Sequence, residues 1–120
     1  MSVVELEPVP VYAGDGLRIE LGFDEPVDPD DATAGVAPMN LSGWTWSAQW
    51  RTSHSSGSAV SFVVDTSDAA TGQLVLTLTG EQTAAMLADG VFDLQGTKPG
   101  AQPWTPVWGR TVWQADVTRG

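Results

Sequence analysis

The chain has 120 residues, with 15 acidic and 5 basic side chains, a formal charge of −10 and no cysteine. This length suits one domain, which we expect to span residues 1–120. The negative charge repels phosphate backbones, so we expect no nucleic-acid partner. No apolar run reaches the roughly 20 residues that cross a bilayer, so we expect no membrane partner.

The compartment is indicated by two further features of the sequence. The opening stretch, MSVVELEPVP, has neither the basic region nor the apolar region of a signal peptide. The lack of cysteine excludes disulfides, thiolate metal ligands and thiol nucleophiles. Both features favour assembly inside a cell.

Apolar and polar residues alternate with a period of two over most of the chain, which predicts half-buried β-strands. Clusters of glycine, proline, serine and aspartate separate these short runs, as in antiparallel sandwiches and barrels. We therefore predict an all-β fold with antiparallel strands. The predicted strands lie near residues 4–7, 17–23, 44–51, 60–65, 74–79, 92–95 and 107–117.

Residues 24–39, DEPVDPDDATAGVAPM, form the longest segment without alternation. Proline withholds a donor from a β-ladder, so the three prolines here predict an irregular surface loop. Five carboxylates within eight residues raise a calcium site as an alternative, but their spacing lacks the closing glutamate of an EF-hand loop. We expect a solvated acidic loop, and we assign Asp28, Asp30 and Asp31 to a docking surface.

The stretch WTWSAQW, residues 44–50, holds three of the six tryptophans. On a strand, Trp44, Trp46 and Trp50 share one face, and polar side chains occupy the other. Burying one large aromatic side chain removes about 150–250 Å² from water, so this face can anchor a small core. We predict that it does; the alternative is an exposed aromatic platform that stacks on a sugar. The other predicted core residues are Phe62, Leu76, Phe92 and Trp113.

A short helical turn interrupts the strands near residues 80–88, in TGEQTAAMLADG. Thr79 and Gln82 have the spacing of a capping box, in which each side chain bonds the backbone of the other. We interpret this turn as a structural connection between two strands.

The segment GAQPWTPVWGRTVW carries the other three tryptophans. Pro103 and Pro106 predict that Trp104 lies in a loop before the last strand, residues 107–117. Alternation in that strand turns Trp113 inward and Trp108 outward. We predict that Trp104 and Trp108 are exposed and belong to the docking surface.

No group of residues indicates catalysis. His54, the only histidine, lies in the polar run TSHSSGS, where neighbouring serines lack the rigid support that a catalytic triad needs. A small hydrolase that uses His54 is therefore the least favoured alternative. A single histidine without cysteine makes no zinc site, and Gly14 and Gly16 precede a strand, not a phosphate-binding helix. We expect no catalytic residue, no cofactor and no metal.

The order of motifs along nearly the whole chain resembles one family. AGDG leads into an alternating strand, and NLSGWTWSAQWR, SFVVDTSDAATGQLVLTLTGEQTAAM, GVFDLQGT and WGRTVWQADVTR follow in turn. This series is similar to the small immunoglobulin-like β-sandwich domains of tailed-bacteriophage virions. The nearest types are the N-terminal domain of baseplate upper proteins and the sandwich domain of lateral tail fibres.

The resemblance implies an antiparallel immunoglobulin-like sandwich with a structural, non-enzymatic role in a virion that assembles in the host cytoplasm. The implied partners are major capsid or tail proteins, in an oligomer that the symmetry of the particle imposes. The alternative is a carbohydrate-binding module that captures a host-surface glycan on exposed tryptophans.

Overall fold

The computed structural model describes residues 4–28, 30–52 and 59–114. Within these ranges the structure is all-β with one short α-helix, as the alternation predicts. His54 and the predicted end of the last strand, residues 115–117, lie outside them. The strands are β1 (Val4–Glu5), β2 (Val9–Tyr12), β3 (Leu17–Gly22), β4 (Asp24–Pro26), β5 (Val36–Pro38), β6 (Thr45–Arg51), β7 (Val60–Ser61), β8 (Val63–Asp65), β9 (Gln73–Leu78), β10 (Gly90–Thr97) and β11 (Trp104–Gln114), and the helix is α1 (Gly80–Met86).

Sheet A is built around the long strand β11. Its strand order is β1–β11–β10–β6–β7, and β2 also pairs with β11. β11 runs antiparallel to β10 but parallel to β1 and β2. The prediction of a purely antiparallel fold is therefore wrong for this sheet. Parallel and antiparallel strands share the period of two, so alternation carries no information on strand direction.

Sheet B contains three antiparallel strands in the order β3–β9–β8. The predicted strand near residues 60–65 is divided between the sheets, because β7 pairs with β6 and β8 pairs with β9. Between them, Phe62 is buried, and its N–H donates to the carbonyl of Ala48 at 2.9 Å. A strand that changes sheets in this way joins the two sheets at one corner.

One hydrophobic core contains residues of both sheets, including Leu94 of β10 and Leu74 of β9. Trp44 and Trp46 lie at the start of β6 and Trp113 near the end of β11, where fewer neighbours cover a side chain. Of the predicted core residues, Trp50, Phe62, Leu76 and Phe92 are buried, while Trp44, Trp46 and Trp113 are partly exposed and pack against the core.

Strands β4 and β5 form a hairpin, so the prediction of an irregular loop is wrong for these residues. β4 and β5 pair antiparallel through a short 3-10 turn. The N–H of Met39 donates to the carbonyl of Phe23 at 2.9 Å, so Phe23 and Met39 form the first bonded pair of the hairpin. Bonded and non-bonded pairs alternate in an antiparallel ladder, so Pro26 and Pro38 fall at non-bonded pairs. Proline costs no ladder bond there.

The capping box of α1 is confirmed. Thr79 Oγ1 accepts from the N–H of Gln82 at 3.1 Å, and Gln82 Oε1 accepts from the N–H of Thr79 at 2.8 Å. The hydroxyl of Thr83, which is fully buried, accepts from the N–H of Gly14 at 3.1 Å and donates to the carbonyl of Asp15 at 2.7 Å. The helix therefore holds the turn between β2 and β3.

The last strand begins at Trp104, with Pro106 inside it, so the predicted loop is wrong here as well. Leu94 pairs with Val107, but Gly96 pairs with Trp104, so two residues of β11 lie opposite one residue of β10. Such a β-bulge leaves an extra residue unpaired, which is a position that proline tolerates. The extra residue also reverses the alternation, and Trp104 faces the same side as Val107.

Candidate docking site

Four aromatic side chains, Phe23, Trp44, Trp46 and Trp104, meet near the starts of β6 and β11. We call them the aromatic cluster. Trp46 stacks on Trp44 at a ring-centroid distance of 5.4 Å and on Phe23 at 6.0 Å. Trp104 meets Phe23 edge-on at 6.3 Å and Trp44 at a tilt at 5.8 Å. Aromatic rings favour such stacked and edge-on contacts, and the four rings form a packed unit instead of a flat platform.

The rings of the aromatic cluster pack closely, but two of its indole N–H groups lack hydrogen-bond acceptors among the described residues. The Nε1–H groups of Trp46 and Trp104 are buried and find no acceptor among the described residues. A buried donor without an acceptor costs about 1–3 kcal/mol. Trp46 also lies directly on its cross-strand neighbour Gly96, where an added side chain would overlap the indole.

Trp104 does not lie in the exposed loop predicted for it. Its ring is partly buried on the inner side of β11, within the aromatic cluster. Trp104 contacts Phe23, which immediately precedes β4, so Trp104 lies at the base of the acidic hairpin. The only sequence signal for this change of face is Pro106 within an alternating run, since proline in a strand is often placed at a bulge.

Trp108 lies on the outer face of sheet A, as predicted, but it is half-buried. It is the cross-strand neighbour of Glu5 on β1 and of Asp93 on β10. The guanidinium of Arg110 lies 5.5 Å from the ring centroid of Trp108, and its Nε is 3.8 Å from a carboxylate oxygen of Glu5. This cation–π contact covers part of the ring. Trp104 and Trp108 thus lie on opposite faces of β11 and belong to different surfaces.

The predicted docking carboxylates are exposed on the hairpin, and those of Asp28 and Asp31 accept local hydrogen bonds. Asp28 accepts from the N–H of Asp30 at 3.0 Å, and Asp31 accepts from the N–H and the hydroxyl of Thr33 at 2.9 and 2.6 Å. The Thr33 hydroxyl, followed by its N–H, lowers the pKa of Asp31 below the ordinary value. In the described parts of the chain, no three potential metal ligands come together.

An apolar groove of about 230 Å³, which the sequence does not predict, opens beside the aromatic cluster. It lies between β1 of sheet A and β3 of sheet B. Alternation predicts which side chains turn inward, but it does not show that the two sheets leave this side open. The lining includes Leu6, Leu21, Phe23, Met39, Trp104 and Val107.

A polar groove of about 250 Å³ lies on the outer face of sheet A. Asp93, one of its lining residues, is the cross-strand neighbour of Trp108. Polar side chains that line a groove can fix the orientation of a small ligand. The other polar side chains that line this groove are Ser47, Gln49, Arg51 and Gln95.

Two further observations bear on function. No helix within the described ranges has the length and apolar character needed to span a bilayer. No family model and no curated protein matches this chain.

Proposed function

We propose that the protein is a structural component of tailed-bacteriophage virions. In this proposal it is an immunoglobulin-like β-sandwich without catalytic activity that docks on the capsid or the tail. The order of motifs over nearly the whole chain supports this family. Two sheets that share one core, with a strand that passes from one sheet to the other, are consistent with such a sandwich.

The main support for the docking role is the exposure and negative charge of the hairpin of residues 24–38. Its side chains from Asp24 to Val36 are exposed wherever they are described. They include Val27 at 60% and Val36 at 66% exposure, and exposed apolar side chains are typical of contacts with another protein. No lysine or arginine occurs between residues 19 and 50, so this arm carries only negative charge. A partner surface with apolar and basic side chains complements it.

Mass spectrometry of purified virions of the phage that encodes the chain tests the assignment. We expect the polypeptide in a copy number that follows the particle symmetry, because the repeating surface sets the number of docking sites. Virions that lack the polypeptide would refute the proposal.

Rebinding to particles assembled without the chain tests the role of the hairpin. Val27→Ser combined with Val36→Ser should reduce the bound amount, because it removes the apolar contacts and leaves the charge unchanged. Val63→Ser is the matched control, since Val63 is equally exposed, at 64%, but lies on β8. Binding that is unchanged in the hairpin variant, or lost equally in both variants, would contradict this role.

A glycan-binding module is the second candidate, and the polar groove beside Trp108 is the feature that favours it. The aromatic cluster offers less, because Trp46 already stacks on Trp44 and Phe23. A glycan array probed with the purified chain distinguishes the two candidates. A signal that Gln49→Ala abolishes, and that the hairpin variant retains, would establish glycan binding at this groove. No signal is expected if the chain only docks.

A further inference from the structure

Strand β3 has one edge that no strand covers in the described parts of the chain. It pairs with β9 on its other side only. The N–H of Phe23 donates to the carbonyl of Gly72 at 2.8 Å, so the alternation of the ladder directs the backbone groups of Arg18, Glu20 and Gly22 away from β9. An edge of this kind can accept a further strand.

The apolar groove opens beside this edge. Leu21 and Phe23 line it from sheet B, while Leu6 and Val107 line it from sheet A. A strand added to β3 would extend sheet B across the groove. Its alternate side chains would then point into the groove, as in other complexes formed by strand addition.

The charges around the groove restrict the chemistry of the added strand. Glu20 and Asp24 are exposed on the β3 side, and Asp24 also lines the groove. Arg18, the basic residue of β3, forms an ion pair with Glu20 at 2.9 Å, so these two charges offset each other, and Asp24 is the charged residue that lines the groove itself. A second copy of this chain, with a charge of −10, would be repelled from such a site. Lysine and arginine side chains would be attracted to it.

We propose that the free edge of β3 and the apolar groove form a docking site for an extended segment of a basic partner protein. The segment adds a strand to sheet B, places alternate apolar side chains in the groove and sets its basic side chains against Glu20 and Asp24. This inference rests on the proposed docking function and specifies where, and with what chemistry, the partner binds.

Nuclear magnetic resonance titration of the full chain with synthetic peptides tests the site. The probe is acetyl-KVKVKVKV-amide, which presents one apolar and one basic face as a strand. The control is acetyl-KKKKVVVV-amide, which has the same composition and charge but no such faces. We expect the alternating peptide to bind more tightly and to shift the amide resonances of Arg18, Glu20 and Gly22. Equal binding of both peptides, or shifts confined to other surfaces, would overturn the proposal.

Variants of the chain then distinguish binding at the edge of β3 from general attraction between the basic peptide and the acidic chain. Glu20→Lys with Asp24→Lys should weaken binding of the alternating peptide about fivefold to tenfold, because it reverses two charges at the rim. Asp93→Lys with Glu81→Lys makes the same change in net charge on the outer face of sheet A and on α1, and should weaken binding much less. Gly22→Pro removes an outward N–H without removing a bond to β9, and should also weaken binding. Should that variant fail to fold, the charge variants decide alone, and equal weakening by both pairs would refute the site.

The outcomes for the site and for the virion assignment are distinguishable. If virions contain the chain but the Glu20 and Asp24 variant still assembles on them normally, the site is refuted and the virion assignment stands. If virions lack the chain but the alternating peptide binds at β3, the virion assignment is refuted and the strand-addition site stands.

Discussion

Trp50 and Trp46 lie on the same face of β6, but only Trp50 has a partner for its indole N–H among the described residues. Trp50 Nε1 donates to Thr111 Oγ1 at 2.7 Å, and the same oxygen accepts from the N–H of Gly90 at 3.1 Å. Trp113 resembles Trp50, since its Nε1 donates to the carbonyl of Thr83 at 2.9 Å. We call this region the hydrogen-bonded end, and the aromatic cluster the stacked end.

The difference between the two ends shows how one residue type serves two purposes in one small core. A satisfied buried hydrogen bond contributes about 0.5–1.5 kcal/mol, whereas an unpartnered buried donor costs about 1–3 kcal/mol. The hydrogen-bonded end ties β6, β11 and α1 together and is expected to be the more stable. The stacked end adjoins both the hairpin and the apolar groove. Regions that bind partners are commonly drawn from the less stable parts of a structure.

Thr111→Val should strongly destabilise the hydrogen-bonded end. The substitution preserves shape but leaves the N–H groups of Trp50 and Gly90 without an acceptor, at a cost of about 2–4 kcal/mol in the free energy of unfolding. Urea unfolding followed by tryptophan fluorescence measures it. Thr45→Val, on the exposed face of β6, is the control and should change stability by less than about 0.5 kcal/mol. Similar losses in both variants would show that the buried hydroxyl has no special role.

Gly96→Ala tests the packing of the stacked end. A Cβ atom at Gly96 would overlap the ring of Trp46, so we expect a loss of about 1–3 kcal/mol and a changed near-ultraviolet circular dichroism spectrum. Gly22→Ala is the control, because no atom lies within 4 Å of a Cβ atom built there. Alanine is less costly than glycine within a strand, so this control should be neutral or slightly stabilising. A neutral Gly96→Ala variant would mean that Trp46 moves freely, contrary to the packing described.

Replacing a tryptophan with phenylalanine at each end isolates the contribution of the N–H. Both substitutions remove a ring, but Trp50→Phe also removes a hydrogen bond, whereas Trp104→Phe removes a donor without a partner. We expect Trp50→Phe to be more destabilising by about 1–2 kcal/mol in chemical unfolding. Equal losses would indicate that Trp104 also has an acceptor in solution, and the contrast between the two ends would then be wrong.

The inner face of β6 is predictable from the sequence because a period of two assigns Trp46, Ala48 and Trp50 to one side whatever lies around them. The capping box of α1 is predictable for a similar reason, since it depends on neighbours three residues apart. Both features are local. The buried partner of Trp50, in contrast, lies 61 residues away in sequence and becomes apparent only in the folded chain.

The features that sequence reasoning missed depend on pairing between distant segments. The bulge opposite Gln95 reverses the face of Trp104, and alternation alone does not show where an extra residue is absorbed. The prolines of the hairpin predict a loop, because the sequence does not show that Pro26 and Pro38 fall at non-bonded pairs of the ladder. The groove exists because β1 and β3 are edge strands on the same side, which is a property of strand order.

Acidification should affect two exposed turns and leave the hydrogen bond between Trp50 and Thr111 unchanged. The hydroxyls of Thr33 and Ser67 each donate to a carboxylate, of Asp31 and Asp65, at 2.6 Å. These bonds, followed by those of the backbone N–H groups, lower the pKa of both aspartates below the ordinary value of 3.8. A carboxyl group with a lowered pKa stabilises the fold above its unfolded-state pKa, and this contribution is lost as the pH falls through the folded-state value.

We therefore expect acid below this ordinary pKa to loosen the 3-10 turn of the hairpin before it disturbs the core. In a pH titration followed by nuclear magnetic resonance, the amide of Thr33 should shift, while the indole N–H resonance of Trp50, whose acceptor is the hydroxyl of Thr111, stays unchanged. Trp113 does not serve as a reporter, because its backbone N–H donates to the carboxylate of Asp89 at 2.8 Å. Thr33→Val should raise the pKa of Asp31 and leave that of Asp65 unaltered, because only the bond to Asp31 is removed. A Trp50 indole resonance that shifts together with the Thr33 amide would mean that the hairpin and the core around Trp50 respond as one unit, contrary to this expectation.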